Sequence, residues 1–191
     1  MPLKKKTPLI IGLVGTAGSG KDTVASYIKH KYGAEEFRFS YLLVKALEVF
    51  GLEVSIGNLA WLMNILKRKY GHDVLTKAMK KTLRALSKKP IIVLNGMRLP
   101  PDYPFLRSFK RNRLIFIDAP VKIRWKRVYV RGEKVDDCVT FKEFLKLTSG
   151  ENERYIQGIG KKAEYTIING GNLRQLHREV DKVMHRIMNN E

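Results

Sequence analysis

The sequence predicts an α/β fold built on a parallel five-stranded sheet. Three observations carry this prediction. Short aliphatic runs alternate with longer helical stretches along the chain, most of these runs are apolar throughout, and the first ends in a glycine-rich loop that leads into a helix. Continuous aliphatic runs are typical of strands covered on both faces. The 191 residues suffice for one domain with a substantial core.

The first half of the chain is predicted to contain two strands and four helices. Leu9–Val14 is a buried strand, Thr23–Tyr32 is a helix that ends at Gly33, and Glu36–Ser40 is a second strand interrupted by charges. Helical periodicity then marks three further segments: Leu42–Phe50, Asn58–Tyr70 and His72–Ser87. Three helices therefore separate the second strand from the third.

The second half is predicted to contain three more strands, which are Ile91–Leu94, Leu114–Ile117 and Tyr165–Ile168. The remaining segments have helical periodicity: Pro120–Val130, Thr140–Tyr155 and Leu173–Met188. Ligands of such sheets bind outside the carboxyl ends of the strands, so we expect the site at that edge.

The net charge of the chain is unusual. The 37 Lys and Arg against 18 Asp and Glu give +19, which favours polyanionic or phosphorylated partners. No apolar run approaches the roughly 20 residues of a membrane helix. The basic N-terminus lacks a signal-peptide cleavage pattern, so we expect a cytoplasmic protein without membrane contact. A single cysteine, Cys138, excludes an internal disulfide.

A glycine-rich loop follows the first strand and matches the phosphate-binding pattern G-x-x-x-x-G-K, with a strand before it and a helix after it. Backbone amides, the helix N-terminus and Lys21 supply positive charge to the β and γ phosphates of a nucleoside triphosphate. The predicted ATP-binding residues are Gly15, Thr16, Ala17, Gly18, Ser19, Gly20, Lys21, Asp22 and Thr23.

The loop departs from the usual pattern at Asp22, where Ser or Thr normally contacts Mg²⁺. In one interpretation Asp22 binds the metal directly or through water, and Thr23 supplies the hydroxyl one residue later. In the other, Asp22 is an acidic residue in the first helical turn that interacts favourably with the helix dipole. Both interpretations stay open from the sequence.

Motifs along the chain resemble those of P-loop nucleoside and deoxynucleoside monophosphate kinases, including archaeal adenylate-kinase-related and dephospho-CoA-kinase-like proteins. The motifs follow the same order over nearly the whole chain: residues 20–25, residues 95–98, Ala119-Pro120 with three arginines, Asp136-Asp137 and residues 158–169. The resemblance implies a three-layer P-loop kinase fold in one domain, 1–191. Its parts are a core (8–40, 89–123 and 140–191), a helical substrate-binding insertion at about 41–88 and a lid at about 124–139.

The resemblance also implies that the γ-phosphoryl group of ATP is transferred, with Mg²⁺, to a phosphate or hydroxyl of a small nucleotide-like acceptor. Lys21 and the lid residues Arg124, Arg127 and Arg131 are the catalytic candidates. The arginines are spaced by three and four, so they share one helix face, and guanidinium groups suit a transferring phosphoryl group. The alternative is a solvated basic face.

Acceptor contacts are predicted at three positions. Arg98 follows a strand end, and the resemblance assigns it to the acceptor's phosphate. Relatives often place an acid and an arginine after the second strand, but the segment from position 40 to 45 offers only Ser40, Tyr41 and Lys45. Ser40 and Lys45 are therefore the remaining acceptor candidates.

Asn95 and Asp118 are two further metal candidates, in addition to Asp22 and Thr23. Relatives usually have Asp where this chain has Asn95, and an amide oxygen is a weaker anchor for Mg²⁺ than a carboxylate. Asp118 at the end of the fourth strand either compensates for this change or caps the turn into Pro120.

The leading interpretation is a kinase for nucleoside or deoxynucleoside monophosphates. No general base is evident, which fits an ionised phosphate acceptor better than the hydroxyl of dephospho-CoA. The charge supports a second interpretation, an ATP-dependent switch bound to RNA or ribosomes, although the basic runs are scattered and lack interleaved aromatics. Oligomeric state is not predicted.

Overall fold

The computed structural model describes residues 7–86, 89–131 and 139–189. Cys138, Asp136-Asp137 and the part of the predicted lid from 132 to 138 lie outside the described residues. The strands are β1 (Leu9–Gly15), β2 (Glu35–Arg38), β3 (Ile91–Met97), β4 (Asn112–Asp118) and β5 (Tyr165–Ile168). The helices are α1 (Lys21–Tyr32), α2 (Phe39–Val49), α3 (Ile56–Tyr70), α4 (Val74–Leu86), α5 (Asp102–Arg107), α6 (Val121–Arg131), α7 (Phe141–Leu147), α8 (Glu151–Gly160) and α9 (Leu173–Asn189).

The five strands form one parallel sheet in the order β2-β3-β1-β4-β5. β1 is central, with Gly12 opposite Leu94 of β3 and Leu114 of β4. Because all strands run the same way, their carboxyl ends lie at one edge, where the chain leaves β1 for the glycine-rich loop. The α/β class predicted from the sequence is confirmed.

Alternate side chains of β1 enter two separate cores. Leu9, Ile11 and Leu13 are at most 2% exposed and pack with residues of α1 and α9 on one face. Ile10 and Val14 pack on the other face, where α4, α5 and α8 contribute. Each fully buried aliphatic side chain contributes about 1.5–3 kcal/mol. Helices on both faces thus explain why β1 is apolar at every position.

Three differences from the sequence prediction affect the site. β2 ends at Arg38, so Ser40 belongs to helix α2 and not to the strand. The predicted helix Thr140–Tyr155 is two helices, because α7 ends at Leu147 and α8 starts after Gly150. α5 was not predicted, since six residues that include Pro104 carry no readable helical period.

The predicted insertion, 41–88, coincides with α2, α3 and α4, which connect β2 to β3. Its division from a core and a lid stays a prediction. No helix in the described part of the chain is long and apolar enough to cross a membrane.

Glu164, which immediately precedes β5, links β4 to α5. Its carboxylate accepts the Leu114 N–H at 2.9 Å and an Arg107 N–H at 2.6 Å. Burial raises the pKa of Glu164, but the bonds from Arg107 and Leu114 outweigh burial, and the pKa lies below its ordinary 4.5. The stabilisation is therefore complete above pH 4.5 and is lost as the pH falls through the lowered pKa.

We expect Glu164→Ala to lower the free energy of unfolding by about 1 kcal/mol at neutral pH, because the Leu114 N–H loses its acceptor and the ion pair is partly exposed. Urea unfolding of both proteins between neutral pH and pH 4 measures the difference, which should shrink below pH 4.5. Glu179→Ala, which removes an exposed pair with Lys182, is the control. A difference that grows on acidification would contradict the assignment.

Candidate active site

The glycine-rich loop is a closed turn between β1 and α1. Gly18 and Gly20 have φ of 74° and 91°, and the Ser19 N–H donates to the Thr16 carbonyl at 3.2 Å. A Cβ at Gly20 would collide with the Asn169 side chain, so only glycine fits there. The turn leads directly into the N-terminus of α1, where free amides bind anions.

Lys21 begins α1 and is only 8% exposed. Its Nζ lies 3.4 Å from Oδ1 of Asp22. Burial lowers the pKa of Lys21, and the Asp22 carboxylate opposes that shift. For Asp22, burial raises the pKa, but the charge of Lys21 and the hydrogen bond from Asn95 outweigh burial and the pKa is lowered. A buried ammonium beside one half-exposed carboxylate is well placed to receive a phosphate.

Asn95 lies between two carboxylates at this edge of the sheet. Its Nδ2 donates to Oδ1 of Asp22 at 2.9 Å and to Oε1 of Glu36 at 2.8 Å. Asn95 is 1% exposed, and its Oδ1 has no partner among the described residues. The structure thus brings the metal candidates Asp22 and Asn95 together and adds Glu36, which the sequence analysis missed. Two carboxylates and an unpartnered amide oxygen are hard donors of the kind that Mg²⁺ prefers.

Arg38 completes this cluster. Its Nε donates to Oε1 of Glu36 at 2.7 Å, and its Nη2 lies 3.9 Å from Oδ1 of Asp22. β2 therefore contains an acid and an arginine, before the segment 40–45 in which such residues were expected. The signal was a period of two: Glu36 and Arg38 alternate with the buried Phe37, so they share one face of the strand.

The acceptor candidates on α2 lie apart from this cluster. Ser40 is exposed on the first turn of α2. Lys45 donates to Glu48 at 2.7 Å on the same helix and lies over the Tyr41 ring at 5.7 Å. Within the residues that the structure describes, no hydrogen bond or ion pair links the Ser40 or Lys45 side chain to the loop.

The other two metal candidates, Thr23 and Asp118, differ in their surroundings. Thr23 is exposed in the first turn of α1, one residue beyond Asp22. Asp118 accepts the Ala119 N–H at 2.9 Å and so caps its own turn. No group of three or more His, Cys, Asp or Glu in the described chain is arranged to hold a metal ion. The acidic part of the site is the pair Asp22 and Glu36.

Two arginines of α6 contact the loop from the other side. Arg124 donates to the Thr16 hydroxyl at 2.8 Å and lies 3.7 Å from Glu153 of α8. Burial raises the pKa of Glu153, and Arg124 opposes the shift. Nε of Arg124 and Oε2 of Glu153 are buried without a partner in the described chain, so this ion pair is only partly satisfied. Glu153 was not among the predicted site residues, because no motif in the sequence marks it.

Arg127 is linked to the loop through Asn169. Its Nη2 donates to Oδ1 of Asn169 at 3.2 Å, and Nδ2 of Asn169 donates to the Ser19 carbonyl at 2.8 Å. Burial lowers the pKa of Arg127. The Arg131 backbone ends α6, and its side chain lies outside the described residues. Arg124 and Arg127 thus hold the shape of the loop.

Arg98 leaves the sheet immediately after β3 and is exposed. Because β3 lies next to β1 in the parallel sheet, Arg98 leaves the sheet at the same edge as the loop. The turn is held by Asp102, whose Oδ2 accepts the N–H groups of Arg98 and Leu99 at 2.7 and 2.8 Å. Burial raises the pKa of Asp102, against the effect of these two bonds.

Asp102→Ala should lower the free energy of unfolding by about 2–4 kcal/mol, because two N–H groups lose their acceptor. Asp102→Asn should cost less, since an amide oxygen also accepts and the buried charge is removed. Chemical denaturation of both variants measures this order. Equal losses in the two variants would show that the carboxylate charge, and not acceptance of the two bonds, holds the turn.

The strand order and the loop together define a P-loop kinase-like fold, and the solved structures with the same fold include several kinases. Shikimate kinase from Bacteroides thetaiotaomicron has a TM-score of 0.64 at 12% identity, with 94% of this chain and 98% of that chain covered. A gluconokinase from Sinorhizobium meliloti has a TM-score of 0.55 at 14% identity, covering 96% and 95%. The TT1252 protein from Thermus thermophilus has a TM-score of 0.64 at 23% identity, covering 95% and 98%.

The curated relatives span the whole chain. A UPF0200 protein from Pyrococcus horikoshii is 29% identical over 186 residues, which are 95% of this chain and 99% of the relative. A UPF0200 protein from Thermococcus kodakarensis is 26% identical over 184 residues, 94% and 98% of the two chains. No family model matches the sequence.

Proposed function

We propose that the protein is an ATP-dependent phosphotransferase that acts on a small phosphorylated acceptor, a nucleoside or deoxynucleoside monophosphate. The observation that carries this proposal is the buried Lys21 at the loop, with Arg38 and Arg98 on the acceptor side of the same sheet edge. A shared fold with shikimate kinase and gluconokinase supports phosphotransfer to a small molecule.

The residues divide into two groups. The loop amides and Lys21 hold the β and γ phosphates of ATP, and Arg38 and Arg98 hold the acceptor's phosphate. Asp22, Thr23, Glu36 and Asn95 offer the oxygen ligands for Mg²⁺. Bound Mg²⁺ neutralises charge on the β- and γ-phosphate oxygens.

In the transfer step, an acceptor oxygen forms a bond to the γ-phosphorus while the bond from that phosphorus to the β,γ-bridging oxygen breaks. Lys21 stabilises the charge that develops on the leaving phosphate. Arg124 and Arg127 keep the loop in its binding shape through Thr16 and Asn169. An acceptor phosphate is already ionised at neutral pH, so this reaction needs no general base.

One observation favours a second acceptor class, the hydroxyl of a dephospho-CoA-like molecule. Glu36 places a carboxylate at the acceptor side, 2.8 Å from Asn95 and within the cluster of Asp22. A hydroxyl must lose a proton during transfer, and a carboxylate at this position is suited to accept it.

Glu36→Gln separates the two acceptor classes. With a hydroxyl acceptor we expect kcat to fall by about 10²–10⁴-fold, because the base is lost. With a phosphate acceptor at saturating Mg²⁺ we expect a change of less than about tenfold, since no proton is abstracted and the Gln amide oxygen, with Asp22 and Asn95, still offers oxygen ligands to the metal. The neighbouring Glu35→Gln is the control, because Glu35 lies in the same strand and contacts neither Asn95 nor Arg38. A large loss in both variants would indicate damage to β2 rather than loss of a base.

A coupled phosphotransfer screen tests the proposal itself. Purified protein is given Mg·ATP and, separately, each nucleoside and deoxynucleoside monophosphate and dephospho-CoA. Transfer to a monophosphate supports the first acceptor, and transfer to dephospho-CoA supports the second. Background hydrolysis with every acceptor, combined with stimulation by RNA, would replace both by an RNA-associated switch ATPase.

A further inference from the structure

We propose that the solvent face of α9 binds the phosphate backbone of double-stranded nucleic acid. Four basic side chains, spaced by four residues, form the basic stripe: Arg174, Arg178, Lys182 and Arg186. All four are exposed. This inference is independent of the proposed enzymatic function, since it uses none of the residues assigned to the phosphates of ATP or the acceptor.

The stripe lies on the side of α9 that faces away from the sheet. The apolar side of the helix is at most 7% exposed and packs in the core: Leu176, Val180, Val183, Met184 and Ile187. Residues four apart advance by about 40° around a helix, so the four basic residues span about 120° of its surface. They also advance by about 6 Å each along the axis, so the stripe winds gradually around the helix over about 18 Å. A helix packed into the core along its length holds that row rigid.

The acidic residues of α9 neutralise little of this charge. Asp181 is turned onto α1, where it accepts from Lys31 at 2.8 Å and from Tyr32 at 2.8 Å. Glu179 pairs with Lys182 at 2.7 Å. Among the described residues, the other three members of the stripe have no acidic partner. Three arginine side chains therefore remain available to phosphate groups, and Lys182 becomes the fourth when a phosphate replaces Glu179 in this exposed ion pair.

An open groove of about 480 Å³ lies beside the stripe, between the C-terminal ends of α1 and α9, and Lys182 and Arg186 of the stripe contribute to its lining. Asp181 also lines this groove and pairs with Lys31 at 2.8 Å, so the groove adds little charge of its own. A row of basic side chains matches the repeated phosphates of a double helix better than a single small anion does.

Two other polyanionic partners fit this face less well. Single-strand binders stack bases on aromatic side chains, and α9 carries no aromatic residue besides the histidines. A helix that lies on an anionic membrane inserts an apolar face beside its basic one, but the apolar face of α9 is buried in the protein. Contacts to the backbone of a duplex need neither feature.

Fluorescence anisotropy with a labelled duplex DNA of about 20 base pairs tests the proposal in the full-length protein. Four phosphate contacts predict that log K falls with log[KCl] with a slope of about −3.6, so affinity drops roughly 100-fold between about 50 and 200 mM KCl. Arg178→Glu combined with Lys182→Glu should weaken binding at least about tenfold at the lower salt and reduce the slope by about 1.8.

The matched control is Lys77→Glu with Lys81→Glu on α4. It makes the same change in net charge at two exposed residues four apart. Lys77, like Lys182, also loses one local ion pair, in this case with Asp73 immediately before α4. We expect the control to change affinity by less than threefold. The milder pair Arg174→Gln and Arg186→Gln should reduce the salt slope in the same direction as the charge reversal, and turnover of Mg·ATP should stay unchanged in every variant.

Three results would overturn the proposal. Equal weakening by the stripe variant and the control would show that binding follows net charge alone. No binding of the duplex by the unmodified protein at the lower salt would exclude the interface. Binding to vesicles that contain anionic lipid, without binding to the duplex, would assign the stripe to a membrane surface.

Discussion

Replacing Lys21 with methionine should abolish measurable ATP binding and reduce kcat/KM by at least about 10³-fold, since the only full positive charge within the loop is removed. Lys21 is 8% exposed and begins α1, so a solvent cation does not readily take its place. Isothermal titration with Mg·ATP measures the first effect, and the coupled assay measures the second. Lys29→Met, an exposed change on the same helix, is the control.

The stability of this variant separates loss of function from loss of fold. Burial lowers the pKa of Lys21, which means that the folded protein holds this charge at a cost in free energy. Methionine has a similar length and no charge, so we expect the Tm of the nucleotide-free variant to equal or exceed that of the unmodified protein. A variant that keeps its ATP affinity would exclude the loop as the nucleotide site.

The loop was predictable because its signal is local. The residues of the motif lie within nine consecutive positions, 15–23, and the strand and helix on either side have their own periodicity. The parallel sheet was predictable for a similar reason, since the buried residues of β1, β3 and β4 are apolar except for Asn95.

The acidic side of the site depends on contacts that no local pattern encodes. Asn95 meets Glu36 only because β2 pairs with β3 in the register that places Arg38 opposite Asn95. The local sequence pattern of β2 indicates neither which strand pairs with β2 nor the register of that pairing. An acid and an arginine were therefore expected after the strand, although Glu36 and Arg38 lie within it.

The contacts of the α6 arginines were likewise not predictable from the local sequence. Their spacing predicted one shared helix face, but only the packing of α6 beside the loop shows what Arg124 and Arg127 contact. The basic stripe of α9 was not predicted. Its members are four residues apart, whereas the candidate basic patches were contiguous runs such as Lys67-Arg68-Lys69, whose side chains point in different directions on a helix.

Replacing Asn95 with aspartate should destabilise the protein in the absence of divalent cation by about 3 kcal/mol. The Nδ2 group of Asn95 now donates to both Asp22 and Glu36 at a position that is 1% exposed. The variant replaces that donor with a third negative charge facing two carboxylates, and a buried charge without a partner is costly. Urea unfolding in EDTA measures the loss, and Asn95→Ala, which removes the two hydrogen bonds without adding charge, is the control.

Added Mg²⁺ distinguishes a metal site from a purely structural amide. If Asp22, Glu36 and position 95 converge on one cation, Asn95→Asp has three carboxylates to hold it, so the variant should regain more stability from Mg²⁺ than the unmodified protein does. A gain in turnover at saturating Mg·ATP would then show that the asparagine weakens the anchor for the metal. An equal response to Mg²⁺ in both proteins would mean that Asn95 serves only to keep two carboxylates from repelling each other, and that the cation is held by Asp22, Thr23 and the phosphates.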